Sequence, residues 1–321
     1  MWRARAAPNT PDMSDVTVIG AGMIGLACAR ALARGGARVT LIDAGEAIRP
    51  ASRAAAGMCA PETEALLHPP SDPAEAELWR AGLVAWEAFE LEAGAQSGLD
   101  PAVRGTDLHL QDGVRHVPSE RVIDPVRAMA RLRADALAAG VRVRAEAGRP
   151  EGVVVIAAGA GSSTFSALAP EAARVTPVRG QLIEVARPAG FPDRMVRSPD
   201  VYLAPRRDRL VIGATSEPGV TRLAASSGDA GDLLARASAL WPGLDRAAVL
   251  ASRVGLRPAT PVGPLIGPSR MPGVFLATGA YRNGVLIALV AAETLAATVQ
   301  GRPHPLSSLV DPRRTAGKSV P

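Results

Sequence analysis

The sequence predicts an α/β chain, α+β overall, in which a discontinuous Rossmann-like domain is interrupted by a smaller, mostly antiparallel one. Three observations carry this. Residues 16–43 read strand, glycine turn, helix, strand, and "GVVVIAAGAG" (152–161) is a second buried strand running into glycines. From Val175 to about Leu256 the texture changes to strands, and "GVFLATGAYRNGVLIALVAAETLAATVQG" then returns to strand, turn and buried helix. The first domain is expected over 15–90, 121–174 and 255–310, and the second over 91–120 and 175–254. Residues 1–14 and 311–321 read as disordered.

The elements follow in order. "VTVIG" is a short apolar strand, Ile24 to Ala33 has small-apolar helical periodicity, and Gly35-Gly36 supplies a stop. "RVTLID" alternates as a strand. A Pro- and Ala-rich loop precedes a helix from about Ala74 to Ala93, and 94–122 are turn-rich and weakly patterned. "DPVRAMARLRADALAAG" is an amphipathic helix with Asp124 as N-cap, Pro125 in the first turn and Gly140 as stop. The all-apolar strand at 153–156 has the signature of a parallel sheet covered on both faces. "VRGQLIEVA" and "VYLAPRRDRLVIGAT" are strands, with "PRRDR" a solvated hairpin turn, and a helix spans about Asp229 to Leu240.

Composition excludes several function classes. Apolar residues make up 47% and charged residues 21% of 321, a globular balance with ample length for a core. The net charge is +5, but the basic residues are scattered, without the run that a nucleic-acid arm shows. Lys318 is the only lysine, so a pyridoxal Schiff base has no anchor. Cys28 and Cys59 form no disulfide framework, which points to a reducing, cytoplasmic setting. His68, His109, His116 and His304 lack metal-ligand spacing, so no metal is expected. The N-terminus has no apolar signal region, and the longest apolar stretch is broken by Glu293, so no membrane span is expected.

Gly20, Gly22 and Gly25 form a G-x-G-x-x-G pattern placed between strand and helix, with Ala29 small enough for close packing and Asp43 ending the next strand. In such a unit the first glycine permits the turn, the second admits a pyrophosphate and the third brings the helix near. The phosphates rest on the helix N-terminus, and Asp43 is positioned for ribose hydroxyls. The fingerprint alone leaves NAD and FAD open. Three further segments narrow it: "ASRAAAGMCAP" (51–61), "VVVIAAGAG" (153–161) and "GAYRNGVLIA" (279–288), each presenting small residues where backbone can approach a ligand.

With "PVRGQLIEV", "VYLAPR", "VIGAT" and "GLRPATPVGPLIG", these segments resemble the D-amino-acid oxidase family of flavoproteins, most of all its glycine oxidase branch associated with thiamine biosynthesis. The resemblance runs from about Val16 to Gly301. It implies FAD as cofactor, held by Gly20, Gly22, Met23, Ile24 and Gly25, by Asp43, and by Ser52, Ala55, Ala56, Gly57 and Met58. Ala157, Ala158 and Gly159, and Gly279, Arg282, Asn283, Gly284, Val285 and Leu286, complete that set. It implies that Arg257 binds the substrate carboxylate, that Tyr202 touches it, and that Met58 and Arg282 stand beside the flavin. The helix expected to begin near Gly284 would stabilise charge on the reduced ring. The implied reaction oxidises glycine or a similar small amine to the imino acid, with O2 as acceptor and H2O2 as product. The alternatives are a dehydrogenase that uses a quinone, and a catalytically silent FAD-binding protein. A homo-oligomer is compatible with either. The chain departs from the family pattern in its short 92–122 stretch, in Ser216 after "GAT", and in Ala280 where relatives often carry histidine.

Overall fold

The computed structural model describes residues 15–43, 45, 51–70, 72–93, 103–146, 150 and 152–315. The chain opens with β1 (Asp15–Ile19), α1 (Met23–Arg34) and β2 (Arg38–Ile42). β1 and β2 pair parallel, so α1 crosses between them. It buries Gly25, Ala27, Cys28 and Ala29, a small-residue face that lets it lie close to the sheet.

Next come β3 (Met58–Cys59), α2 (Pro61–Leu67) and α3 (Pro73–Ala93), then β4 (Val103–Leu110) and β5 (Gly113–Val122). The β4–β5 hairpin corrects the weakly patterned reading of this stretch. Its alternation is masked because the buried positions include Thr106, Glu120 and Arg121. The connection is short: Gln111 and Asp112 join Leu110 to its partner Gly113, which has φ 135. α4 (Pro125–Ala138) is capped by Asp124, whose carboxylate accepts from the Val126 and Arg127 N–H groups at 2.9 and 3.2 Å.

The remaining elements are β6 (Arg142–Arg144), β7 (Val153–Ile156), β8 (Thr176–Ala186), β9 (Met195–Arg197), β10 (Tyr202–Pro205), β11 (Arg209–Gly213) and β12 (Glu217–Pro218). They are followed by α5 (Ser227–Leu240), β13 (Val249–Ala259), β14 (Leu265–Pro268), β15 (Val274–Thr278), α6 (Ala288–Val299) and α7 (Ser307–Val310). Among the described residues the strands form two sheets. The first is β14-β15-β7-β1-β2-β6, with β15, β7, β1, β2 and β6 paired in parallel. The second has nine strands, in the order β12-β8-β11-β10-β9-β4-β5-β3, with β13 paired to β8.

Three boundaries differ from expectation. β13 pairs with β8 from Val249 to Ala259, so the break placed after residue 254 falls inside one strand of the second sheet. α6 begins at Ala288, because the chain first makes turns after Asn283. The start of the last stretch is held to the fold at Pro312, which is buried, and at Arg314, which accepts from Arg174 through its carbonyl at 2.8 Å and donates to the Pro264 carbonyl at 2.8 Å. Residues 1–14 and 316–321 lie outside the described residues.

Strand register sorts the second sheet into two faces, because directly paired residues share a face and side chains alternate along each strand. Ile183, Leu203, Ile212 and Val196 lie under Leu233 and Ala237 of α5 in one apolar cluster. The pairs Arg197↔Tyr202, Tyr202↔Gly213, Gly213↔Leu182 and Gly180↔Gly255, with Val178↔Arg257, place the other set opposite. This second face is where the cavity lies.

Candidate active site

A cavity of about 1160 Å³ runs from the first βαβ turn to that sheet face. Ligand pockets usually span roughly 300–1,000 Å³, so the space suits a large cofactor with a second small ligand. At one end stands the start of α1. Gly22 is its N-cap, with no side-chain cap and no acidic residue in the first turn, while Ser52 Oγ accepts from the Met23 N–H at 3.1 Å. A helix N-terminus facing a cavity without its own anion is suited to a pyrophosphate. Gly20 has φ 110, and a Cβ there would lie 2.5 Å from the Ala157 carbonyl oxygen, so the turn and the 157–159 loop can meet only through a glycine. Asp43 also lines the cavity; its carboxylate accepts from Gly45 N–H at 3.0 Å and pairs with Arg133 at 2.7 Å.

The middle of the cavity is walled by Ser52 and Ala55–Met58 on one side and Ala157–Gly159 on another. Two features fix the first wall. Gly57 has φ 76, and a Cβ would fall 1.7 Å from the Ile123 carbonyl oxygen. Arg206, its side chain 10% exposed, donates to the carbonyls of Ala56 and, at 3.3 Å, Ile123. "PRRDR" is therefore no solvated turn at its first arginine. The guanidinium turns inward because the buried loop carbonyls need a donor.

The far end is the sheet face. The Arg257 side chain is aimed into the cavity, and one of its N–H groups donates to the Thr215 carbonyl at 3.1 Å. A Cβ on Gly180 would lie 2.2–2.3 Å from the three terminal guanidinium atoms, and one on Gly213 would lie 2.3 Å from the Tyr202 hydroxyl. These two glycines are the space in which both side chains lie flat across neighbouring strands. Burial pulls the Arg257 guanidinium below its usual range, with Tyr202 opposing and Arg282 reinforcing the shift. Burial raises the Tyr202 phenol, against the pull of Arg257. Beyond Tyr202, Arg197 pairs with Glu64 at 2.5 Å and donates to Thr63 Oγ at 3.1 Å.

The turn after β15 closes this end. Tyr281, at φ 45, donates its N–H to the Pro258 carbonyl at 2.8 Å, tying the turn to β13. Arg282 is exposed at the rim and donates to His68 Nε2 at 2.8 Å. Trp86 of α3 donates to the Val285 carbonyl at 2.8 Å from a fully buried position. Ser216 Oγ stands 3.5 Å from the Tyr281 hydroxyl, and Ala280 lines the wall.

Most residues singled out in the sequence meet in this one cavity, namely Gly20, Gly22, Met23, Ile24, Asp43, the 52–58 and 157–159 loops, Tyr202, Arg257 and 282–285. Three do not line it. Gly25 is a packing position, since a Cβ would lie 1.8 Å from the Gly20 carbonyl oxygen. Gly279, at φ 80, backs onto Thr260, and Leu286 is buried in the core. Glu64, His68, Gly180, Arg197, Arg206 and Gly213 are absent from the sequence reading of the site. For Gly180 and Gly213 the available signal was a glycine inside a strand pattern, which marks a close approach.

A helix N-terminus with no acidic residue in its first turn, joined by one cavity to a cation-bearing sheet face, marks a nucleotide-cofactor protein. The family follows from comparison. The chain belongs to the FAD-dependent oxidoreductases: the family model described as "DAO: FAD dependent oxidoreductase" matches residues 15–104 and 97–298. FAD is the family's cofactor, and the N–H-rich turn, the small-residue walls and the cavity's length fit it.

The chain is 30% identical to a glycine oxidase of Pseudomonas aeruginosa over 92% of its own length and 96% of that protein. It is 31% identical to the bifunctional protein ThiO/ThiG of Synechocystis, covering 94% of this chain and 54% of that one, so it spans about half of that relative. In fold it is similar to the crystal structure of glycine oxidase from Geobacillus kaustophilus, with a TM-score of 0.82 at 24% identity over 94% of this chain and 99% of that one. Among the described residues no helix is long and apolar enough to cross a membrane, and no cluster of metal-binding side chains occurs.

Proposed function

We propose that this protein is a cytoplasmic FAD-dependent amino-acid oxidase that takes glycine, or a similar small primary or secondary amine, to the imino acid. O2 accepts the electrons and H2O2 is released, and the imine serves thiazole formation in thiamine biosynthesis. The observation that carries the reading is Arg257, a half-buried side chain that lines the cavity with one guanidinium N–H on a protein carbonyl. Such a fork pairs bidentately with a carboxylate. Relatives named glycine oxidase and ThiO/ThiG support both the substrate class and the pathway.

When bound, FAD supplies the two-electron acceptor for the substrate's Cα–H. The chain's residues orient and tune. Arg257 and the Tyr202 hydroxyl hold the carboxylate, which fixes the rotation of Cα and converts binding into alignment. Arg257 and Arg282 both line this end, so their charge favours an amino acid whose amine is neutral over one whose amine is an ammonium. Arg197 adds little to that field because Glu64 is paired with it. No side-chain base is required for hydride loss from a neutral amine.

The test is an anaerobic screen of the yellow protein against glycine, sarcosine and other small amines, read as bleaching of flavin absorbance. Glycine or sarcosine should bleach it, and Arg257→Met should raise KM about a hundredfold while FAD stays bound. A flavoprotein bleached by none of these amines overturns the proposal. Peroxide formed with no added acceptor separates an oxidase from a quinone-linked dehydrogenase.

A further inference from the structure

Resting on that reading, we infer that His68 is a positioning residue. It accepts a hydrogen bond only while neutral, holds Arg282 at the cavity rim, and so makes the affinity for a carboxylate depend on its own protonation.

The geometry fixes the roles. Arg282 Nη1 and His68 Nε2 are 2.8 Å apart. A guanidinium offers donors and no acceptor, so Nε2 carries a lone pair and the imidazole proton sits on Nδ1. Protonating Nε2 would set an N–H and a positive charge against another N–H and positive charge. The contact and the imidazolium exclude each other.

The two partners come from separate elements. His68 ends α2, with its backbone N–H on the Glu64 carbonyl at 2.7 Å, and Arg282 belongs to the turn after β15. Three charged side chains act on the ring: Glu64 from its own helix, Arg282, and Arg197 from β9. Burial holds His68 below its ordinary 6.5, Arg282 and Arg197 push the same way, and Glu64 opposes them. The ring is thus neutral at neutral pH and takes up its proton only below the ordinary histidine range.

A neutral acceptor is a suitable restraint here. Arg282 is exposed, and its other neighbour, the Tyr281 ring 5.3 Å from its guanidinium carbon, offers a face that does not fix the direction of its N–H groups. A carboxylate partner would hold it but cancel its charge, as Glu64 does for Arg197. His68 restrains Arg282 and leaves the charge intact beside the carboxylate site. When His68 is protonated, Arg282 is released towards solvent, and the imidazolium charge that replaces it at the rim faces Glu64, whose carboxylate acts on the ring, rather than the carboxylate site.

The experiment uses the FAD-loaded protein and acetate as an unreactive carboxylate, with its Kd read from the change in flavin absorbance. It is run from about pH 8 down to about pH 5, because His68 titrates below its ordinary 6.5 and acetate stays mostly ionised over that range. In the wild-type protein the acetate Kd should rise as pH falls, by up to about tenfold per pH unit below the His68 midpoint. His68→Gln keeps an acceptor that does not titrate, and its Kd should stay low and flat. His68→Leu removes the acceptor and should bind weakly throughout. A His68→Gln profile that follows the wild type, or a wild-type profile that is flat or reversed, overturns the inference alone. Acetate that changes no flavin signal at any pH overturns the carboxylate site and this inference together.

Discussion

Gly180 offers the sharpest test of how the sheet builds the carboxylate site. Gly180↔Gly255 and Val178↔Arg257 are adjacent paired positions on one face, so Gly180 is the diagonal neighbour of Arg257. In Gly180→Ala the added methyl would sit 2.2 Å from Arg257 Nη1, where ordinary contact begins at 3.4 Å. The guanidinium must therefore withdraw by 3.4 − 2.2, or about 1.2 Å. The backbone need not move, because Gly180 is not at positive φ and the atoms it meets are the tip of a flexible side chain. The fold should survive while the clamp is displaced. A misplacement of about 1 Å costs roughly a hundredfold in rate, equivalent to about 2.7 kcal/mol of transition-state stabilisation. The assay is kcat/KM for the amine that bleaches the wild-type flavin best, with FAD content and Tm measured alongside. A variant that folds, binds FAD and keeps kcat/KM within about threefold of wild type would refute the argument that Gly180 sets the position of Arg257.

Two other perturbations bear on different parts of the molecule. Arg206→Met leaves the Ala56 and Ile123 carbonyls without their guanidinium donor, a loss of about 1–3 kcal/mol. It should weaken FAD binding by about tenfold in apoprotein reconstitution; unchanged affinity would mean that the 55–58 loop holds its shape without Arg206. Burial pushes the Cys28 thiol up to about 12 and raises Cys59 as well. Neither should react with Ellman's reagent at neutral pH in the native protein, and both should react in guanidinium chloride. A fast-reacting native thiol would show that the core beneath α1 or β3 opens.

How much of this was legible in the sequence depends on how local the physical reason was. Asp124, Pro125 and Gly140 could be read because a helix cap involves atoms within a few residues of one another. Gly20, Gly22 and Gly25 were legible for the same reason, since the turn, the helix start and the packing all fall within one unit. Arg206 was misread because its neighbours are polar, and the carbonyls that draw it inward belong to residues 56 and 123. The β4–β5 hairpin was obscured in a similar way. Thr63 N–H donates to Glu120 at 2.7 Å and Thr63 Oγ to the same carboxylate at 2.8 Å, so a charged residue occupies a buried strand position on the strength of a partner on α2.

The site shows the same divide most clearly in its glycines. A fingerprint glycine serves the backbone beside it, and its spacing announces it. Gly180, Gly213 and Gly255 serve something else: the Arg257 guanidinium, the Tyr202 ring and the 51–54 loop, respectively. Each is a strand glycine whose missing side chain matters only after register has brought another strand or loop against it. Arg257 and Tyr202 could be picked out as residue types suited to a carboxylate. What makes them a site is the empty space opposite each, and that space is a property of strand pairing. A glycine inside a strand costs stability through its backbone entropy. Three of them on one face of this sheet are explained by what lies over them, two side chains laid flat across the strands and the 51–54 segment.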